Sequence, residues 1–200
     1  MVAPVESPRS SASLASSETS PSVTIAVPHF SPSAVRSGGP SARFSRNQIL
    51  ALVVVSLVGL FSIFFCLESA KTLGSHEGYA LIPAREMLNS NDFVVPTFGE
   101  VPRLKKPPLI YWLISGTASL VGSLDIFVAR LPAGVSAVLL GGLVAYWGWR
   151  WYGPLAAIGG LAAQVTSVYV LSFGRKAEVD MTLVLLIALA LYLVSSQPSD

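Results

Sequence analysis

The sequence predicts an all-α membrane protein with four transmembrane helices, additional surface helices in a long first external loop, and a disordered N-terminal tail. The first observation is the composition. Of the 200 residues, 52% are hydrophobic and only 12% are charged, whereas a soluble globular domain carries about 25% charged residues. The second observation is that the charges leave long uncharged runs between short polar segments. The third observation is an N-terminal segment that is rich in Ser and Pro and shows no periodic spacing of its hydrophobic residues.

Charge and cysteine content exclude several kinds of site. The formal net charge is only +2 and no basic stripe is present, so no nucleic-acid partner is expected. The chain has one cysteine, Cys66. A disulfide framework or a cysteine-based metal site within this chain is therefore not possible.

The segment 1–47 is predicted to be a disordered cytoplasmic tail. Ser and Pro dominate it, and its large apolar residues are scattered. Such a segment cannot bury enough apolar surface to offset the entropy lost on ordering. Arg36, Arg43 and Arg46 lie just before the first apolar run, and the positive-inside rule places this end in the cytoplasm.

Four uncharged runs predict the membrane spans. A helix needs about 20 mostly apolar residues to cross a bilayer, and each of these runs is long enough. Trp and Tyr side chains surround Arg150, between the second and third runs. They indicate an aromatic belt at a turn on the membrane surface. The predicted spans are 49–67, 131–149, 151–174 and 181–199.

A fifth run, 107–124, has two interpretations. It begins with two prolines and contains several Ser, Thr and Gly residues, so it is either a short span or a helix lying on the membrane surface. If it spans, Glu77 and Asp180 lie on opposite sides of the membrane. If it does not, both lie outside. The positive-inside rule mildly favours the spanning alternative, and the residues alone leave both open.

The polar segment 68–106 is predicted to contain a helix. Ser75 is a plausible N-cap, and Glu77 then lies in the first turn, near the positive end of the helix dipole. Pro83 would kink this helix or begin a second one. The run Asn89-Ser90-Asn91-Asp92 is typical of a helix end.

The same segment carries the first candidate site. His76 and Glu77 place a base and an acid side by side, and Arg103, Lys105 and Lys106 form a compact cationic cluster. Two prolines follow and hold the backbone of Lys106 extended. Such cations suit a lipid phosphate, and the carboxylate suits deprotonation of an acceptor hydroxyl. One alternative is a solvated linker whose charges merely avoid the bilayer. Another, for the cations alone, is binding to anionic lipid headgroups.

A second charged cluster, 175–180, separates the third and fourth predicted spans. Asp180 stands directly before an apolar run, where a carboxylate is costly unless it has a partner. It is either a functional group or part of an ordinary polar turn.

Several short blocks, in their order and spacing, resemble the GT-C superfamily of membrane glycosyltransferases. The likeness is strongest to the bacterial aminoarabinose-to-lipid-A transferases and the protein O-mannosyltransferase-like enzymes, and it covers about residues 49–197. The blocks are His76-Glu77-Gly78-Tyr79, Ala84-Arg85-Glu86-Met87-Leu88, Asp92-Phe93-Val94-Val95-Pro96, Lys106-Pro107-Pro108-Leu109-Ile110-Tyr111-Trp112-Leu113, Ala129-Arg130-Leu131-Pro132 and, more loosely, Gly174-Arg175 with Asp180-Met181.

The resemblance implies an enzyme of the cell (inner or plasma) membrane. It would transfer a sugar, with inversion, from a polyprenyl-phosphate-linked donor to a lipid or protein acceptor at the outer face. Residues 48–197 would be the N-terminal part of such a domain, with an external loop at 68–125, and the chain would be a fragment of a longer enzyme. The helix after Lys106 would lie along the membrane surface, which leaves four spans.

The resemblance also implies the roles of individual residues. His76-Glu77 stands where the family has Asp-Glu, so His76 and Glu77 are the expected catalytic pair. Asp180 matches a second acidic residue that supports the base in some members and binds a divalent metal in others.

Lys106 matches a lysine of the family that contacts the carrier phosphate. Arg103 and Arg85 are expected to assist it in binding that phosphate.

A non-catalytic multi-pass membrane scaffold or partner subunit is the alternative function. The charges of the loop would then serve contacts with headgroups or with proteins. A small transporter is less favoured, since no predicted span has a charge at its centre.

Overall fold

The structure is a computed structural model that describes residues 43–65, 67 and 75–195, without the side chains of Ser75 and His76. The predicted tail therefore lies outside the described residues up to position 42. The described part contains seven α-helices and one short hairpin. In chain order they are α1 Arg46–Phe64, α2 Ser75–Ser90, β1 Thr97–Phe98, β2 Val101–Pro102, α3 Leu109–Val121, α4 Ile126–Tyr152, α5 Pro154–Thr166, α6 Val168–Phe173 and α7 Asp180–Ser195.

Helices α1 and α4 have the length and composition of membrane spans. They contain 19 and 27 residues, with mean hydropathies of 2.2 and 1.8. A capping box begins α1: the Gln48 N–H donates to the Ser45 hydroxyl, and the Ser45 N–H donates to the Gln48 side chain. This box satisfies two backbone groups at the helix start. Most apolar side chains of α1 are exposed, as expected for a helix that faces lipid.

The third predicted span differs from the structure. The run 151–174 forms two helices, α5 and α6, because the backbone at Ser167 is extended, with φ −67° and ψ 120°. The Thr166 hydroxyl donates to the carbonyls of Ala162 and Ala163 at 2.9 and 3.3 Å. Such bonding back to the preceding turn competes with the helix. The fourth predicted span is α7, which has 16 described residues. The count of four spans thus stays a prediction.

Residues 75–125 contain helix α2, as predicted for the polar segment, and helix α3, with the hairpin between them. Helix α2 continues through Pro83, so the alternative in which a second helix begins there is wrong. The predicted helix end is confirmed: α2 stops at Ser90, and Asn91 has a φ of 57°. The Asp92 side chain then accepts from the Val94 N–H at 2.9 Å, which turns the chain toward the hairpin.

Two apolar clusters hold the helices together. The first joins α2, α3 and the beginning of α4 to Ala177, around the fully buried Ala84 and Ile114. The second joins α1, α4 and α7 around Ile63 and Met181. Small residues permit close approach of α4 and α5, since a Cβ added at Gly148 would lie 2.8 Å from the Ala156 carbonyl oxygen. Such residues are typical of helix contacts within membranes.

Aromatic side chains gather at one end of the bundle. The ring of Tyr192 on α7 lies 5.9 Å from Trp147 and 5.7 Å from Tyr146, and Trp149 lies 5.8 Å from Phe44. The chain then turns at Gly153, which has a φ of 91°, and Pro154 begins α5. The predicted turn after the aromatic run is therefore confirmed. The candidate site lies at the opposite end of α4.

Candidate functional site

A buried ion pair lies at the beginning of α4. Arg130 and Glu77 are each only 4% exposed. The arginine Nε donates to Glu77 Oε1 at 2.8 Å, and Nη2 donates to Oε2 at 2.9 Å. This is the two-pronged geometry in which a guanidinium and a carboxylate bind most strongly.

The same pair joins four segments of the chain into one charged network. The third nitrogen of Arg130, Nη1, donates to the Leu67 carbonyl at 2.6 Å. The Ala177 N–H donates to Glu77 Oε1 at 3.0 Å, and Arg175 donates to the Phe65 carbonyl at 3.0 Å. The end of α1 and the beginnings of α2 and α4 therefore meet the segment before α7. They meet at the end of the bundle that lies away from the aromatic cluster.

This geometry bears on the expected role of Glu77. Both of its oxygens accept hydrogen bonds from Arg130, and one also accepts from a backbone N–H. If Glu77 broke its contact with Arg130, the guanidinium charge would remain buried without a counterion, which would cost several kcal/mol. Glu77 is therefore better placed to hold the segments together than to collect a proton. Sequence reasoning missed Arg130 as its partner.

Lys106 lies beside this network, at the mouth of a small crevice. Lys106 itself is exposed. The crevice has a volume of about 10 Å³, and Tyr79, Tyr111, Ala177 and Glu178 are among its lining residues. Ala177 also donates to Glu77, so the backbone that closes the crevice is held by the charged network.

Arg103 is held against two aromatic rings. Its guanidinium carbon lies 4.3 Å from the centre of the Tyr79 ring and 5.4 Å from that of Phe98. The backbone N–H of Arg103 donates to the Pro96 carbonyl at 2.7 Å. Stacking of this kind orients the guanidinium plane. Tyr79 thus contacts Arg103 and also lines the crevice with Lys106, so one aromatic side chain connects two of the predicted phosphate-binding residues.

Glu86 attaches the hairpin to α2. Its carboxylate accepts from the Thr97 hydroxyl and from the Gly99 N–H, the latter at 2.8 Å. The Thr97 hydrogen bond, assisted by the backbone N–H groups of Gly99 and Glu100, lowers the pKa of Glu86 below its usual value, against a smaller opposing effect of desolvation. Because the hairpin leads directly into Arg103, Glu86 helps to position that cation.

The remaining predicted site residues are less closely joined. Asp180 is exposed and begins α7, three positions after Ala177, and Arg85 is exposed on α2. No described hydrogen bond or ion pair connects either of them with Lys106. The side chain of His76 lies outside the described residues. Within residues 43–65, 67 and 75–195, no three His, Cys, Asp or Glu side chains form a group that could hold a metal ion.

Comparisons with known proteins agree with the resemblance predicted from the sequence. A model of the family described as dolichyl-phosphate-mannose-protein mannosyltransferase matches residues 105–197. The crystal structure of ArnT from Cupriavidus metallidurans in the apo state superposes with a TM-score of 0.64 at 26% identity, covering 77% of this chain and 28% of that one. The predicted GT-C resemblance is thereby confirmed.

An uncharacterized protein of Aquifex aeolicus (strain VF5) is 34% identical over 86 residues, which are 43% of this chain and 20% of that protein. The chain thus spans between a fifth and a third of the length of the proteins it matches.

Proposed function

We propose that this chain acts in the transfer of a sugar from a polyprenyl-phosphate-linked donor to a lipid or protein acceptor, as part of a GT-C-type membrane glycosyltransferase. The family model and the likeness to ArnT support this reaction class. The observation that carries the proposal is that Arg103 stacks on Tyr79, and that Tyr79 lines the same crevice as Lys106. Two cations joined in this way through one aromatic side chain are suited to the phosphate of a lipid carrier.

The two ends of the bundle support a proposed arrangement in the membrane. We take α1, α4, α5 with α6, and α7 as four spans of the cell membrane. The charged network gathers one end of each of α1 and α4, together with the segment before α7. Helix α3 has 13 residues and ends at Gly122, so it is about 20 Å long, too short for a hydrocarbon core of about 30 Å. In contrast, α5 continues directly into α6, and α7 is described only as far as Ser195. Helix α3 would lie along the outer surface, so that Lys106 and Asp180 share the outer face.

In this account the reaction is a single displacement with inversion. A base removes the proton of the acceptor hydroxyl, whose oxygen bonds to the anomeric carbon while the bond from that carbon to the phosphate oxygen breaks. The polyprenyl phosphate departs with the electron pair, and Lys106 and Arg103, assisted by Arg85, stabilise its charge. His76, Glu77 and Asp180 are the candidate bases. Asp180 is exposed, whereas Glu77 is held by Arg130.

The test compares Lys106→Ala with Lys105→Ala in membranes that contain the protein. Both variants remove one exposed lysine charge, but only Lys106 lines the crevice. We measure release of polyprenyl phosphate from a panel of polyprenyl-phosphate sugars. Loss of one preorganised group that stabilises transition-state charge lowers the rate about 10²–10³-fold.

We therefore expect that loss for Lys106→Ala and an effect of less than about threefold for Lys105→Ala, because Lys105 does not line the crevice. Membrane insertion of both variants should equal that of the wild type. Turnover by Lys106→Ala at the wild-type rate would refute the role of Lys106.

A further inference from the structure

The hydroxyl group of Tyr111 is buried and has no hydrogen-bond partner among the described residues. The residue is only 1% exposed, and no hydrogen bond reaches the hydroxyl from the part of the chain that the structure describes. Buried tyrosine hydroxyls are usually paired, because an unpaired buried polar group is costly. An unpaired one in a native protein therefore requires an explanation, such as a ligand that the structure lacks.

The position of Tyr111 indicates where that ligand lies. Tyr111 lines the same crevice as Lys106. The crevice volume of about 10 Å³ is close to the space of about 10–15 Å³ that one water molecule requires. The crevice can therefore admit a single oxygen atom of a larger group that sits outside, beside the exposed Lys106.

The ring of Tyr111 is held in place by the packing of α3. Tyr111 lies in the first turn of α3, and its neighbours Ile110 and Ile114 are buried against α2. The Ser115 hydroxyl, one turn further along, donates to the Ala84 carbonyl at 3.1 Å. The hydroxyl of Tyr111 is therefore a preorganised donor, and binding a ligand would not require ordering of a flexible side chain.

We propose that the Tyr111 hydroxyl donates a hydrogen bond to an oxygen of the lipid-linked phosphate that Lys106 contacts. The proposal rests on the proposed function and adds a second, uncharged donor to its phosphate site. A phosphate oxygen is a charged acceptor, so the bond is stronger than one between neutral groups. Lys106 supplies charge from the exposed side, and Tyr111 fixes the direction of approach from the buried side.

The test measures the affinity of Tyr111→Phe for a polyprenyl monophosphate in lipid nanodiscs. Phenylalanine keeps the ring and removes only the hydroxyl. Loss of a hydrogen bond to a charged group corresponds to about tenfold weaker binding or more. We expect that loss for Tyr111→Phe and wild-type affinity for Tyr152→Phe. Tyr152 is exposed and lies about 33 Å farther along α4 than Arg130, at 1.5 Å per residue.

Two further probes identify the group that is recognised. The polyprenol of equal length lacks the phosphate and should bind wild type and Tyr111→Phe equally. Inorganic phosphate lacks the lipid and should compete only weakly. Competition by inorganic phosphate at the same concentration as the lipid would assign the crevice to free phosphate and overturn the proposal.

The thermal unfolding midpoint without ligand separates this role from a structural one. Because none of the described residues pairs with the hydroxyl, Tyr111→Phe should unfold at the wild-type temperature or above it. A lowered midpoint with unchanged affinity would assign the hydroxyl to a trapped water and overturn the proposal. Unchanged affinity of Tyr111→Phe, with binding lost in Lys106→Ala, would overturn it and leave the phosphate site standing. No binding by the wild type would overturn both.

Discussion

Replacement of Glu77 by glutamine should destabilise the protein strongly. Glutamine has nearly the shape of glutamate, so the packing around position 77 is retained. One of its two terminal atoms is an N–H donor, however, and it would face a donating nitrogen of Arg130. The variant thus leaves the guanidinium charge buried, at 4% exposure, without its counterion.

The magnitude follows from the geometry of the pair. Glu77 accepts two hydrogen bonds from Arg130, at 2.8 and 2.9 Å, and one from the Ala177 N–H at 3.0 Å. Removing one partner of a buried ion pair costs about 3–5 kcal/mol, and we expect the unfolding free energy of Glu77→Gln to fall by that amount. The loss should exceed any exposed charge deletion, which changes stability by about 0.5 kcal/mol or less.

The assay is denaturant unfolding of the purified protein in mixed micelles, with Glu100→Gln as the matched control. Glu100 is exposed, so its substitution should be nearly silent. The double variant Glu77→Leu, Arg130→Met replaces both charged groups by apolar side chains and should recover much of the loss, because a buried ion pair is replaceable by apolar groups. A loss below about 1 kcal/mol for Glu77→Gln, or no recovery in the double variant, would refute the assignment of the pair as a structural centre.

Two further predictions concern packing and pH. Gly148→Ala should lower the unfolding free energy by about 1–3 kcal/mol, because the added Cβ would meet the Ala156 carbonyl at 2.8 Å. Gly142→Ala, where no atom lies within 4 Å, should be neutral or slightly stabilising in the same micelle assay. The pKa of Glu86 is lower in the folded state than its ordinary value of about 4.5. Glu86 therefore stabilises the fold at pH values above that ordinary pKa, and this stabilisation disappears as the pH falls through the folded-state pKa. Thr97→Val should reduce this acid sensitivity in pH-dependent unfolding, and an unchanged pH profile would contradict the cause assigned to the shift.

The sequence predicted those parts of the fold that depend on local composition. Helices α1 and α4 follow from uncharged runs of sufficient length, and the end of α2 follows from residues 89–92. The break at Ser167 was not predictable from charge spacing, since it depends on the local backbone and on the Thr166 hydroxyl. Helix propensities are weak beside such tertiary and side-chain effects.

The candidate site was predicted only in part, for a physical reason. Adjacency in the chain suggested Arg103 and Lys106 as a cluster, but the stacking of Arg103 on Tyr79 requires the fold of the hairpin. Glu77 and Arg130 are 53 positions apart, and their pairing arises only when the fold brings the beginnings of α2 and α4 together. The buried hydroxyl of Tyr111 is likewise a property of packing, which no spacing in the sequence reveals.

The measurement that tests the account most directly is the side of the membrane on which Lys105 and Asp180 lie. The single cysteine is first removed by Cys66→Ala, and one cysteine is then introduced at a time as Lys105→Cys, Asp180→Cys or Arg150→Cys, all at exposed positions. Intact cells are treated with a membrane-impermeant maleimide.

The account predicts labelling at positions 105 and 180 in intact cells, and at position 150 only after the cells are opened. Labelling of 105 and 180 from opposite sides would mean that α3 crosses the membrane. Lys106, which is adjacent to Lys105, could not then share a site with Asp180, and the proposed mechanism would be wrong.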